Sequence, residues 1–168
     1  MIGTNRYIGS PVKRIEDPRF LRGRGQFVGD LQRRGMLHAA ILRSPVDHGR
    51  VAAVDARAAL AIPGVRAVIT AKDLGVVPRI PLRLLPLPGT ERFLQPVITA
   101  DRVRYVGEPV AVVLGDSTAL AEDGVGAIAL EIEELPPAPD WQASGRRELL
   151  LFEEAGTNAA MVFTWGQG

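Results

Sequence analysis

The chain has 168 residues, of which 46% are hydrophobic and 23% are charged, a composition typical of one globular domain with a hydrophobic core. The absence of cysteine excludes a disulfide scaffold, a thiolate zinc site, a cysteine nucleophile and an iron–sulfur cluster held by this chain. The net charge of +1 is the sum of +10 over residues 1–104 and −9 over residues 105–168. This split indicates either docking between charged surfaces or two separately solvated faces. The arginines lack the interleaved aromatic residues of a nucleic-acid site.

The start of the chain and its apolar runs predict where the protein resides. Residues 1–6 contain no apolar segment of the kind found in a secretory signal. Every apolar run is far shorter than the roughly 20 residues that span a bilayer. The sequence therefore predicts a cytoplasmic protein without a membrane span.

In chain order, glycine and proline turns predict an irregular arm over residues 1–25, which leads into a short strand at Gln26–Val28. An apolar run then predicts a buried strand at Met36–Leu42. A short strand at Val51–Val54 precedes a helix that begins at Asp55 as N-cap and runs through Ile62. Pro63-Gly64 ends that helix, and the β-branched residues of Val65–Thr70 predict a returning strand.

The second half of the chain shows the same order of elements. Val110–Leu114 is an unbroken apolar run, which predicts a central strand. A turn and cap at Gly115-Asp116-Ser117 precede a predicted helix over Thr118–Leu130, and Glu131–Leu135 begins another strand with its glutamates on the solvated face. Strand–helix–strand thus occurs twice. This predicts an α/β (α+β) fold with a mixed sheet, although the pattern does not distinguish parallel from antiparallel pairing.

Residues 77–96 separate the two units and contain five prolines and several leucines, two of which are Leu84 and Leu85. A segment of this length without regular structure is usually functional or disordered, and its apolar side chains argue against disorder. Two interpretations stay open: the loop wraps its own domain, or it inserts into a partner.

The glycine-rich stretch Gly23–Val28 and the two histidines are the first candidate functional features. The stretch resembles part of a dinucleotide-binding fingerprint, but no helix follows to bind a pyrophosphate, so a glycine turn is favoured. His38 lies in an apolar strand, which favours a hydrogen-bonded core histidine. His48 lies in a loop and could titrate near neutrality. Two histidines without a suitably placed carboxylate pair do not predict a metal site.

Two further candidates for catalysis are a Ser–Asp–His combination and a single glutamate. Ser44, Asp47 and His48 occupy one turn without a nucleophile elbow, which makes a catalytic triad geometrically poor. Glu108 precedes the predicted central strand, where a structural carboxylate that accepts backbone N–H groups is favoured over a catalytic base. The residues therefore predict no catalytic, cofactor-binding or metal site in this chain.

Several segments, taken in order and spacing, resemble the N-terminal region of the molybdopterin-binding large subunit of the xanthine dehydrogenase/aldehyde oxidase/carbon monoxide dehydrogenase family. The resemblance covers roughly residues 5–166 and is most specific at Asp101–Val113. The other matching positions are Arg14–Arg19, Gly23–Val28, Gly35–Ala39, Arg43-Ser44-Pro45, His48, Val51, Pro63-Gly64-Val65, Ala121-Glu122-Asp123, Glu134-Leu135-Pro136, Asn158 and Trp165.

This resemblance implies one α/β hammerhead domain over residues 1–168, with the arm 1–25 and the Pro/Leu-rich loop 77–96. It implies a structural role in a molybdenum hydroxylase, with molybdenum-binding domains, an iron–sulfur subunit and an FAD subunit as partners. Molybdopterin, [2Fe-2S] clusters and FAD are then expected in the parent complex, and none is expected on this chain, which stops at Gly168. The alternatives are a stand-alone binding or scaffold module and a small enzyme that uses Glu108 or His48.

Three glycines depart from the family pattern. Gly29 stands where aspartate is usual, which leaves Asp30 alone to hydrogen-bond its turn. Gly124 and Gly126 interrupt the second predicted helix. Glycine costs a helix about 1 kcal/mol relative to alanine, so Gly124→Ala is expected to raise the melting temperature unless the glycine fits a tight contact.

Overall fold

A computed structural model of the chain describes residues 8–9, 11–83 and 87–166. The chain divides into two compact units, residues 1–36 and 37–168. The first part of the predicted arm, 1–7 and Ser10, lies outside the described residues, as do Leu84 and Leu85 of the Pro/Leu-rich loop and the terminal Gly168.

The first unit contains a short helix, α1 (Asp17–Leu21), and a 3-10 helix (Val28–Asp30). Pro18 at the start of α1 suits a helical first turn, because proline's missing N–H would have no helical partner there. The predicted strand at Gln26–Val28 is wrong. The Asp30 carboxylate accepts the Phe27 N–H at 2.9 Å and closes a capping turn in place of an extended strand. Asp30 thus fills the hydrogen-bonding role expected of it.

The second unit is built from two three-stranded antiparallel sheets. One has the order β1 (His38–Arg43), β5 (Pro109–Gly115), β3 (Val65–Thr70); the other has the order β4 (Arg102–Val103), β2 (Gly49–Asp55), β6 (Ala129–Glu134). All four strand pairs are antiparallel, which answers the question of pairing that the sequence left open. The fold therefore combines helices with antiparallel sheets, in agreement with the predicted α/β (α+β) class.

The two predicted strand–helix–strand units are present, and each of them crosses between the sheets. β2, α2 (Arg57–Leu60) and β3 form the first unit, and β5, α4 (Thr118–Gly126) and β6 form the second. Two further short helices, α3 (Ala71–Leu74) and α5 (Trp141–Gly145), lie outside these units.

The helices α2 and α4 both end earlier than their apolar patterns predict. α4 ends at Gly126 because Ala129 already pairs in β6. Its predicted cap is confirmed, since the Ser117 hydroxyl accepts the Leu120 N–H at 3.2 Å. Asp55, predicted as the N-cap of α2, instead ends β2, and its carboxylate binds the Arg57 side chain.

The hydrophobic core lies between α4 and the β1–β5–β3 sheet. Its buried members are Ala59, Val65, Ala111, Val113 and Ile128. β5 is the middle strand and is buried over most of its length, as its apolar run predicts. β1 is an edge strand whose residues alternate between half-buried and exposed, so the prediction of a buried strand holds for one face only.

The described helices are all short: α4, with nine residues, is the longest of them. None of them has the length and apolar content needed to cross a lipid bilayer.

Candidate functional site

Glu108 is the most deeply buried ionisable group among the described residues, with 2% of its surface exposed. It ends the turn between β4 and β5, in which Gly107 adopts a φ of +91° that favours glycine. One Glu108 carboxylate oxygen accepts the Arg104 backbone N–H at 2.6 Å. The carboxylate therefore closes the turn, as the structural interpretation of the sequence predicts.

Burial raises the pKa of the Glu108 carboxyl above its usual value, while the hydrogen bond from Arg104 and its nearby positive charge oppose that rise. The Tyr105 hydroxyl also has a raised pKa, because it is partly desolvated and lies near the Glu108 charge. The Glu108 charge thus disfavours ionisation of Tyr105, while the Tyr105 backbone N–H lowers the pKa of the Glu108 carboxyl.

A cavity of about 260 Å³ adjoins this turn, and its walls are mostly apolar. The Arg104 guanidinium lies 4.6 Å from the centre of the Phe152 ring and donates to the Leu151 carbonyl at 2.7 Å. Arg104 thus ties the segment around residue 152 to the Glu108 turn. The sequence does not indicate the contact between Arg104 and Phe152, because the two residues are far apart in the chain. The lining residues are Gln95, Pro96, Arg104, Tyr105, Glu108, Leu151 and Phe152.

Ser44 is hydrogen-bonded to the turn that holds Glu108. Its hydroxyl donates to the Val46 carbonyl at 2.7 Å, and its backbone exchanges hydrogen bonds with Gly107 and Glu108. No hydrogen bond joins Ser44 to His48 among the described residues, and the expectation that Ser44, Asp47 and His48 form no catalytic triad stays a prediction.

His48 is 3% exposed, and its Nδ1 lies 2.7 Å from the Pro136 carbonyl oxygen. Because a carbonyl only accepts, Nδ1 donates this hydrogen bond. Nε2 is buried without a hydrogen-bond partner in the described part of the chain. His48 therefore fixes the end of β6 to the β2 turn and is not the solvated loop histidine that the sequence indicates.

His38 is half-buried and its Nδ1 lies 3.1 Å from the Thr118 hydroxyl, which makes it a hydrogen-bonded histidine of the β1–α4 contact. His38, His48 and Glu108 have separate sets of partners. Within residues 8–9, 11–83 and 87–166, no three histidine, aspartate or glutamate side chains form a group that could hold a metal ion.

The glycine-rich stretch forms a turn, as predicted. The Gly23 N–H donates to the Phe20 carbonyl at 3.0 Å, and Gly23 has a φ of +65°. The Phe20 and Phe27 rings stack at 5.6 Å across the loop. A 3-10 helix of three residues follows, so the stretch provides no long helix for a pyrophosphate.

The family model "Aldehyde oxidase and xanthine dehydrogenase, a/b hammerhead domain" matches residues 22–136, which is more than half of the chain. The chain therefore belongs to the a/b hammerhead domain family of aldehyde oxidases and xanthine dehydrogenases, and the recognition made from its motifs is confirmed. The carbon monoxide dehydrogenase large chain of Hydrogenophaga pseudoflava is 37% identical over 164 residues, which cover 91% of this chain and 20% of that protein.

Two further similarities agree with this assignment. The nicotine 6-hydroxylase large subunit of Paenarthrobacter nicotinovorans is 39% identical over 132 residues, which cover 79% of this chain and 16% of that protein. The crystal structure of quinoline 2-oxidoreductase from Pseudomonas putida 86 superposes with a TM-score of 0.67 at 41% identity and covers 76% of this chain and 16% of that one. The chain spans about a fifth or less of the length of these relatives.

A [2Fe-2S] cluster is held mainly by cysteine thiolates, and this chain has no cysteine. The buried polar side chains among the described residues are Ser44, His48, Thr90, Thr99 and Glu108. Each of them hydrogen-bonds the backbone of its own domain, and Nε2 of His48 is the one buried side-chain atom left without a partner among the described residues.

Proposed function

We propose that this chain is the structural hammerhead portion of a molybdenum hydroxylase large subunit, supporting the molybdenum-binding domains and the contacts between subunits. By itself it does not catalyse. The observation that carries the proposal is the structural role of Glu108. Its buried carboxylate accepts the Arg104 N–H and closes a turn, so the residue that is the strongest candidate for a catalytic group stabilises the fold.

The domain organisation belongs to the same proposal. We take residues 1–168 as one hammerhead domain in which the arm 1–25 and the loop 77–96 contact partners. Two hydrogen bonds that join the ends of the loop support this role. The Ile80 N–H donates to the Gln95 carbonyl at 2.9 Å, and the Arg79 side chain donates to the Leu94 carbonyl at 2.7 Å. Ile80 in the loop and Val76 directly before it nevertheless expose apolar surface.

The partners are the molybdenum-binding domains or subunit, an iron–sulfur subunit and an FAD subunit, and the complex resides in the cytoplasm. Molybdopterin, [2Fe-2S] clusters and FAD belong to those partners. The name of one relative, the "Xanthine dehydrogenase molybdenum-binding subunit" of Escherichia coli, which is 33% identical over 124 residues, supports this division.

The test is affinity purification of the tagged chain from its native host, followed by identification of the co-purifying proteins and measurement of their molybdenum. Co-purification of a molybdenum-containing complex is the expected result. A lone chain free of molybdenum would overturn the proposal and favour a stand-alone binding or scaffold module. Substrate oxidation by the isolated chain, lost in Glu108→Gln, would instead establish an independent enzyme.

A further inference from the structure

Residues 11–36 carry apolar surface that their own fold does not cover. No residue of this range is fully buried. Three aliphatic side chains around the Phe20–Phe27 loop are almost completely exposed: Ile15 at 95%, Leu21 at 87% and Val28 at 86%. Exposed apolar groups clustered in one short segment mark an interaction site more often than a solvated surface.

The Phe20–Phe27 loop, which contains Leu21 and adjoins Val28, is braced by contacts between its own side chains. The Phe20 and Phe27 rings stack with an angle of 7° between their planes, and the Arg19 guanidinium lies 5.2 Å from the centre of the Phe20 ring. Gly25 lies against Phe20 so closely that a Cβ there would be 2.9 Å from the ring. A loop fixed in this way loses little conformational entropy when it binds.

The same segment presents basic side chains without acidic partners. Arg19 pairs with Glu16 at 2.6 Å, and Asp30 accepts a backbone N–H. Six other basic side chains have no ion pair in the part of the chain that the structure describes: Lys13, Arg14, Arg22, Arg24, Arg33 and Arg34. Arg22 and Arg24 lie in the loop itself, beside the exposed Leu21.

We propose that Ile15, Leu21, Arg22, Arg24 and Val28, here named the arm surface, dock into an apolar pocket rimmed by carboxylates on another subunit of the enzyme complex. This inference rests on the proposed function and adds the chemistry of the partner. The unpaired guanidinium groups need anionic partners, and the aliphatic side chains need a dry apolar surface. A nucleic acid would meet the first requirement and leave the aliphatic side chains exposed, so a protein partner is favoured.

The experiment immobilises the full-length tagged chain and measures how much of the molybdenum-containing complex it retains as salt is increased. The test variants are Arg22→Glu/Arg24→Glu and Leu21→Ser. The control is Lys72→Glu/Arg147→Glu, which makes the same charge change at two exposed cations outside the arm. Circular dichroism checks that each variant is folded.

At about 0.1 M salt we expect each test variant to retain the complex roughly tenfold more weakly than the control. The deficit of the double glutamate variant should shrink at about 1 M salt, where the Debye length falls from about 10 Å to about 3 Å, whereas that of Leu21→Ser should persist. A photo-cross-linker placed at residue 21 should label a carboxylate-rich apolar segment of a partner subunit.

Equal retention by wild type, control and test variants would overturn this inference and leave the proposed function intact. Cross-linking of position 21 to nucleic acid would overturn it as well. If the wild-type chain retains no molybdenum-containing complex, the proposed function fails, and this inference fails with it.

Discussion

At the scale of single residues, Glu108 organises the turn within Asp101–Val113, the stretch that matches the family most specifically. Its carboxylate accepts the Arg104 N–H, its carbonyl accepts the Ser44 N–H, and the neighbouring Gly107 provides the left-handed turn. The sequence indicated a structural carboxylate because a glycine and a proline flank it before an apolar strand. It did not indicate Arg104 and Phe152, since contacts between distant segments follow from the topology and leave no local pattern.

Glu108→Ala should lower the free energy of unfolding by about 2 kcal/mol, because it leaves a buried N–H donor without its charged acceptor. Urea unfolding at pH 7 measures this loss. Glu134→Ala, which removes an exposed carboxylate from β6, is the control and should change the free energy by less than about 0.5 kcal/mol. Equal effects of the two substitutions would show that the turn does not depend on the carboxylate.

The pH dependence of the same site has a defined sign. Because burial raises the pKa of the Glu108 carboxyl, the folded chain keeps this proton to a higher pH than the unfolded chain does. The free energy of unfolding therefore falls as pH rises from the ordinary glutamate value of 4.5 through the raised pKa. The glutamine of Glu108→Gln does not ionise. Because the other titrating groups are the same in both proteins, their contributions cancel when the two free energies of unfolding are compared. Wild type should lose stability relative to Glu108→Gln between pH 4 and pH 7, and a relative gain would contradict this.

At the scale of secondary-structure elements, α4 reverses one expectation drawn from the sequence. A Cβ at Gly124 would lie 2.7 Å from Val113 Cγ1 and 3.2 Å from Val65 Cγ2, so this glycine allows α4 to approach the sheet closely. Helix propensity alone favours alanine there, which is why Gly124→Ala was expected to stabilise the chain. We therefore expect the tertiary contact to outweigh the helix propensity of alanine at this position.

Gly124→Ala should destabilise the domain by about 1–3 kcal/mol through overpacking, which lowers the melting temperature by several degrees. Gly126→Ala is the matched control in the same helix. A Cβ at Gly126 meets no atom within 4 Å, so this change should instead stabilise the domain by up to about 1 kcal/mol. Thermal unfolding by calorimetry measures both variants, and a higher melting temperature for Gly124→Ala would disprove the close contact.

The elements themselves show what the sequence could and could not predict. The strand at Val65–Thr70 has the predicted bounds, and the apolar run over Val110–Leu114 lies inside the central strand β5. The division into two sheets was not predictable, because a strand–helix–strand pattern does not show that its two strands pair in different sheets. The 3-10 helix Val28–Asp30 was missed because the Asp30 cap, and not the apolar pattern, determines it.

At the scale of the whole molecule, the loop 77–96 bears on the two interpretations that its sequence leaves open. Its ends are fixed to each other, and Phe93 packs edge-on against Phe152 at 5.2 Å, so the described part of the loop packs on its own domain. Val76, directly before the loop, and Ile80 within it expose apolar surface. Deletion of residues 78–95 would remove Ile80 and the Phe93 contact at once, so point substitutions separate the two features better.

Val76→Ser/Ile80→Ser should change the melting temperature of the isolated chain little, because Val76 is fully exposed and Ile80 is half exposed. The same variant should recover less of the molybdenum-containing complex in affinity purification, because it removes apolar contact area. Val162→Ser, an exposed valine outside the arm and the loop, is the control for the loss of apolar surface elsewhere. Unchanged recovery would restrict the loop to a role within its own domain.

We propose that the chain is a structural part of a larger molybdenum enzyme, and purification of the tagged chain from its native host tests this most directly. Molybdenum and iron are measured per tagged chain in the purified material. Both metals should co-purify in a constant ratio to the chain, because the molybdenum-binding and iron–sulfur partners are then bound to it. A chain that purifies alone, without either metal, would show that it is not part of such an enzyme.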